Sequence, residues 1–168
     1  MSATEQILQN AQNLLQPFAQ SFNSPEPNRL DVFLRRENLL PAIKALIEAR
    51  WGYLSTITGI DRPAATVEAG QTPVEGEIEV LYSFCSGAAV VSLRVRVPYS
   101  DAVLPSICPL IPSATLGERE LMEMFGVRAE GTPDTSRLIL ADSWPEGVYP
   151  LRKSFVPPAR VSGAAEGG

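Results

Sequence analysis

EIEVLYSFCSGAAVVSLRVRV, residues 77–97, decides the fold. Ile78, Val80, Tyr82 and Phe84 share one face of its first half, and Ala89, Val91, Leu93, Val95 and Val97 share one face of its second. Such period-two alternation is the mark of two half-buried strands. Ser86-Gly87 between them predicts a two-residue turn with glycine in the second position, where φ must be positive. In that register the numbers of opposed residues sum to 173, so Glu79 faces Arg94 and Glu77 faces Arg96 on the polar side. Ile78 then meets Val95, and Val80 meets Leu93, on the apolar side. Opposite charges on one face and apolar pairs on the other support one another.

Outward from the hairpin the pattern is helix, strand, helix, strand. Ser2 and Glu5 have capping-box spacing, followed by Ile7, Leu8, Ala11, Leu14, Leu15 and Phe18 at helical intervals. Pro17 and residues 24–27 end that helix and read as a loop. Residues 29–34 read as a short strand. Leu39, Leu40, Ile43, Leu46, Ile47 and Arg50 form a second helical stripe, with Asn38 as its N-cap and Pro41 tolerated in the first turn. Residues 53–60 are rich in β-branched side chains and read as a strand leaving through Asp61-Arg62-Pro63, followed by a loop over 64–76.

Beyond the hairpin, residues 98–112 are punctuated by proline and read as a partly buried extended stretch. Thr115-Leu116-Gly117-Glu118 has capping-box spacing. Leu121, Met124 and Phe125 then stack on one side of a short helix, which Gly126 closes. A capping role would make Glu118→Ala cost about 0.5–2 kcal/mol. Residues 127–156 show little regularity beyond 137–140, and 157–168 read as a flexible tail after a single domain over 1–156. The fold class expected is α+β: a mixed, mainly antiparallel sheet, two N-terminal helices packed on it, a short third helix and a long extended C-terminal segment.

Composition narrows the chemistry. The 168 residues carry 14 basic and 19 acidic side chains, a net charge of −5, and no lysine/arginine cluster that could follow a phosphate backbone, which points away from nucleic acid. Histidine is absent, removing the commonest general base and metal ligand. Cys85 and Cys108 are too few for an iron–sulfur cluster, lack CxxC spacing, and read as two buried thiols. Neither an 18-residue apolar run nor a secretory signal stands in the sequence. Gly126, Gly131 and Gly147 do not form a phosphate-binding spacing. Glu118, Glu120 and Glu123 lie on one short helix, but adjacent residues do not share a helix face, so a paired-carboxylate site is disfavoured. Arg119 is expected to pair with Glu123 at i, i+4 and to bridge the helix to the loop beyond it. Arg152 and Lys153 read either as solvated loop charges or as a docking element whose guanidinium enters a neighbour's carboxylate or carbonyl site. On the docking reading, Arg152→Ala weakens assembly and leaves the fold intact.

ERELMEMFG, residues 118–126, resembles the ERE(x)xDMFG pattern of the 30 kDa subunit family of respiratory complex I (NADH-quinone oxidoreductase), shared with energy-converting membrane-bound hydrogenases. YLSTITGIDRP and LPSICPLIPSATLGERE are similar to the family's segments upstream. Gly131-Thr132-Pro133-Asp134-Thr135-Ser136-Arg137-Leu138-Ile139-Leu140 matches its G-H-P-[DN]-L-x-R-[IL]-L, and Asp142-Ser143-Trp144 with Pro150-Leu151-Arg152-Lys153-Ser154 matches its D-W…P-L-R-K-D. Thr132 replaces a histidine, Ser154 replaces an aspartate, and WPEGVYPLRK is two residues longer than in quinone-linked members, which looks more like the hydrogenase branch.

The resemblance implies a cofactor-free structural subunit of a peripheral arm. It would scaffold the large subunit that carries a quinone or nickel–iron site, beside iron–sulfur subunits, at the cytoplasmic side of the cell membrane and touching the membrane only through the complex. It implies interface or structural roles for Glu118, Arg119, Glu120, Phe125, Gly126, Gly131, Pro133, Arg137, Trp144, Pro150, Leu151, Arg152 and Lys153, with no catalytic or metal-binding residue. A membrane-bound hydrogenase subunit and a free-standing soluble binding module are the alternative readings.

Overall fold

The computed structural model describes residues 2–65 and 74–157. Most of the loop expected over 64–76 and nearly all of the tail expected over 157–168 fall outside them. The chain runs α1 (Ala3–Leu15), β1 (Ala19–Glu26), β2 (Arg29–Leu34), α2 (Leu39–Glu48), β3 (Tyr53–Arg62), β4 (Glu77–Ser86), β5 (Ala89–Pro98), β6 (Val103–Pro105), α3 (Thr115–Phe125) and β7 (Arg128–Glu130). Five strands form one sheet in the order β1-β2-β5-β4-β3, with β2 and β5 parallel and all other pairs antiparallel; β6 and β7 make a separate parallel pair. The expected α+β class with a mainly antiparallel sheet is the observed one.

The hairpin forms with its faces as read and its register moved by two. Glu79 lies opposite Arg96, Val80 opposite Val95, and Ser86 opposite Ala89. The turn is therefore Gly87-Ala88, with Gly87 at φ +58° in the first central position, where a type II′ turn takes glycine. A two-residue slip keeps every side chain on its own face, so the alternation does not distinguish the registers.

One face of the sheet carries the core. Leu30, Val32, Ile78, Val80, Phe84, Val91, Leu93 and Val95 are buried in a cluster with Ala11 and Leu15 of α1 and Leu39, Ala42, Ile43 and Leu46 of α2. The capping box of α1 is present: the Glu5 N–H donates to Ser2 Oγ at 3.2 Å and the Ser2 N–H to Glu5 Oε2 at 2.6 Å. Asn38, expected to cap α2, makes no cap hydrogen bond. Its Nδ2 donates instead to the Phe18 carbonyl at 2.9 Å, tying the start of α2 to the end of the first helical segment. The strand β1 stands where the sequence reads as helix end and loop. Its polar stretch AQSFNSPE has only Ala19 and Phe22 partly buried, and it is a strand because β2 offers it a ladder at the sheet edge, where Pro25 is tolerated.

The opposite face is polar. Arg94 donates through Nε (3.0 Å) and a terminal nitrogen (3.1 Å) to Glu79 and through the other terminal nitrogen (2.5 Å) to Asp31. Arg62 also binds Glu79, and Arg29 binds Asp31 at 2.9 Å. Glu79 and Asp31 are fully buried beneath these guanidinium groups. Burial alone would raise the Glu79 carboxyl, but hydrogen bonds from Arg94 and Arg62 outweigh it and hold the group below the usual carboxylate range. The expected Glu79–Arg94 contact thus exists as a diagonal one. Glu77 lies opposite Pro98 rather than Arg96.

Candidate subunit-docking site around the third helix

The helix α3 sorts its side chains into three directions. Glu118, Leu121 and Phe125 recur at i, i+3 and i+7 and are buried. Arg119 and Glu123, at i and i+4, face the segment that follows β7. Glu120 is exposed and makes no ion pair among the described residues. The helix reaches the sheet at Gly59 of β3, where a Cβ would stand 2.7–2.9 Å from the Phe125 ring. Any larger residue at 59 would lift α3 off β3.

Glu118 does not cap the helix. Thr115 lies inside α3 and its hydroxyl is buried without a partner. The Glu118 carboxylate is 1% exposed and accepts from the Ile107 N–H at 2.7 Å, Ser106 Oγ at 2.8 Å and Cys108 Sγ at 3.3 Å. It thereby anchors the turn that follows β6, where the Ile107 N–H lies beyond the β6–β7 ladder. Burial pushes the Cys108 thiol up. Cys108 is buried as expected, whereas Cys85 is only half-buried.

Residues 131–157 form a strap bonded to α3 backbone-first. Arg119 donates to the carbonyls of Ser136 (2.8 Å) and Arg137 (2.7 Å) and pairs with Asp134 at 3.2 Å. The bridge from helix to following loop is therefore present, but the Arg119–Glu123 ion pair is not. Glu123 accepts instead from the N–H groups of Leu138 (2.6 Å) and Ile139 (2.9 Å). The regularity expected at 137–140 is accordingly a bend wrapped on a carboxylate. The hydrogen bonds of Ser136 draw the Asp134 carboxyl downward. Arg137 closes the next turn on the carbonyls of Ala141 (2.5 Å) and Trp144 (2.6 Å), and the Trp144 indole donates to the Val148 carbonyl at 2.8 Å while its ring packs 5.9 Å from Phe155.

The end of the strap closes over the C-terminus of α3. Gly126 takes φ +72°, and a Cβ there would overlap the Tyr149 ring. The carbonyls freed by the helix end are taken up: Met124 accepts from the Leu151 N–H at 3.1 Å, and Phe125 accepts from Arg152 Nε at 2.8 Å. The Arg152 guanidinium lies over Tyr149 (4.6 Å) and Tyr99 (4.7 Å). The Lys153 N–H donates to Asp61 at 2.7 Å, and Asp61 also accepts from the Tyr99 hydroxyl, whose pKa is pushed up to about 12 by burial and that hydrogen bond.

Within this chain Arg152 is held rather than freely solvated: its guanidinium locks strap to helix. Arg152→Ala is expected to lower unfolding stability by about 2–4 kcal/mol, from two cation–π contacts and one charged hydrogen bond. An unchanged urea midpoint would return Arg152 to the docking role. Pro150 is half-buried in the strap, while Gly131, Pro133 and Leu151 are exposed. Asp61, Tyr99 and Ser106 are the participants that sequence reasoning misses. Their roles depend on partners more than 10 residues away, and an aspartate closing a β-branched strand is the one local signal.

Among the described residues no group of three His, Cys, Asp or Glu side chains is placed to hold a metal ion. No described helix is long and apolar enough to cross a membrane. The α+β fold and its family match place the chain in the class of subunits found in NADH-quinone oxidoreductase and hydrogenase complexes. The chain belongs to the family of the respiratory-chain NADH dehydrogenase 30 Kd subunit, whose model matches residues 32–161. Formate hydrogenlyase subunit 5 of Escherichia coli is 33% identical over 129 residues, covering 75% of this chain and 21% of that protein. An NADH-quinone oxidoreductase subunit of a Nocardioides species is 32% identical over 127 residues, covering 73% of this chain and 47% of that protein. The chain therefore spans less than half of either relative. The trypsin-resistant fragment of Nqo5 superposes with a TM-score of 0.58 at 25% identity, covering 77% of this chain and 97% of the fragment.

Proposed function

We propose that the chain is a cofactor-free scaffold subunit in the peripheral arm of a complex I-like oxidoreductase taking electrons from NADH or ferredoxin to quinone. It would brace the large subunit that carries the quinone site, beside iron–sulfur subunits, on the cytoplasmic side of the membrane. One observation carries this reading. The strap turns its polar backbone inward to α3 and leaves Leu138, Ile139, Leu151 and Val156 exposed at 39%, 59%, 53% and 81%. Large apolar side chains held out on a backbone fixed by hydrogen bonds present a preorganised surface for a permanent neighbour. A membrane-bound hydrogenase is the second reading, favoured by the lengthened WPEGVYPLRK segment and the likeness to formate hydrogenlyase subunit 5.

The test is co-expression with the adjacent large and iron–sulfur subunits. Wild type is expected to co-elute with both. Ile139→Asp with Leu151→Asp is expected to cut recovery of the assembly about tenfold or more at unchanged thermal stability of the chain alone. A wild-type chain that elutes alone as a monomer would establish the free-standing module instead. Hydrogen evolution or quinone reduction by the recovered assembly separates the two oxidoreductase readings.

A further inference from the structure

We propose that the arginine-lined pocket at the corner of β1, β2 and β5 docks an acidic, extended peptide segment of a partner subunit; the identity of that partner rests on the scaffold reading above. The pocket has a volume of about 620 Å³, and Arg35, Arg36, Arg94 and Arg96 line it with Phe33 and a single carboxylate, Glu37. It is a concentration of positive charge on a chain whose net charge is −5.

Two of the four guanidinium groups are neutralised from behind. Arg36 pairs with Asp101 at 2.7 Å, and Arg94 is fixed by Asp31 and Glu79 with its guanidinium 5.2 Å from the centre of the Phe33 ring. The other two hold no carboxylate of their own. Arg35 is exposed and makes no ion pair among the described residues. Arg96 is 46% exposed and reaches Glu79 only at 3.5 Å, because that carboxylate already accepts from Arg94 and Arg62. Glu37 pairs with neither. Planar forks with no carboxylate of their own, set beside the half-buried Phe33 ring, suit an incoming Asp or Glu side chain.

The rim favours a peptide over a small anion. β1 is an edge strand, and its ladder to β2 skips Gln20 between Ala19 and Ser21; Gln20 and Ser21 both line the pocket. A bulged edge residue offers backbone hydrogen-bonding groups outside the ladder, at the level of the free guanidinium groups. An extended acidic segment could meet both at once.

The experiment has two arms. In the first, Arg35→Glu with Arg96→Glu is compared with wild type in the co-expressed assembly. Loss of co-elution by about tenfold or more in a variant that keeps wild-type thermal stability supports the pocket, and equal recovery overturns it while leaving the scaffold reading intact; because Arg96 also touches buried Glu79, Arg35→Glu alone is read by the same two outcomes where the double variant is destabilised. In the second, the purified full chain is titrated with hexaglutamate and with inorganic phosphate at low salt. Saturable hexaglutamate binding that weakens steeply with added salt, and that the variant loses, supports the pocket even if the chain proves to have no large-subunit partner. No binding, equal binding by the variant, or phosphate binding as tight as hexaglutamate overturns it. Lys44→Glu on α2 serves as a charge control expected to leave both arms unchanged.

Discussion

Arg94→Met is expected to lower unfolding stability by about 3–5 kcal/mol, the usual consequence of removing one partner from a buried ionic group. Among the described residues its guanidinium is the only donor that reaches both buried carboxylates, Asp31 and Glu79; without it each keeps contacts to more exposed arginines, Arg29 for Asp31 and Arg62 and Arg96 for Glu79. The pH dependence carries a sign. In the wild type the Glu79 carboxyl is held below its unfolded value, so its contribution is present above the unfolded pKa and is lost as pH falls through the folded one. In the variant, burial with fewer cations raises the Glu79 carboxyl, and acid then protonates it and relieves the penalty. The gap between variant and wild type should therefore narrow from about pH 7 to about pH 5. Urea titrations at both values check this. A gap below about 1 kcal/mol, or one that widens toward acid, would show that the network is not held by Arg94.

Glu118→Ala is expected to cost about 3–5 kcal/mol, well beyond the 0.5–2 kcal/mol of a lost cap. The carboxylate receives the Ile107 N–H and the Ser106 hydroxyl in a fully buried setting, and alanine would strand both and leave a void. Glu118→Gln keeps the volume and one acceptor, so it should lose about half as much. Denaturation at unchanged m-value measures both, and a loss for alanine inside the capping range would return Glu118 to the helix terminus.

Glu118 and Glu123 also show how far the sequence can be read. The buried face of α3 is visible in the spacing of Leu121, Met124 and Phe125, and Glu118 and Glu123 can be seen on different faces. The partners of the two carboxylates cannot be seen, because they include main-chain N–H groups that any sequence supplies, and the side-chain donors to Glu118, Ser106 and Cys108, stand on a different segment of the chain. Ile107 and Leu138 become donors only where the chain lacks a ladder and folds back on the helix. Arg119 is legible as a bridge because a guanidinium on a short helix has few other uses, while its expected pair with Glu123 loses to backbone groups that have no alternative acceptor.

Alternation in β4 and β5, the apolar stripes of α1 and α2, and the strand at 29–34 are local periodicities, so they determined the fold class and the core face without reference to anything distant. The hairpin register, the existence of β1 and the closure of the strap on Arg152 each depend on free energy gained between residues far apart in the chain. A two-residue slip leaves the pattern unchanged, a polar edge strand has no pattern of its own, and a backbone carbonyl carries no sequence mark. Only the packed molecule decides among these alternatives.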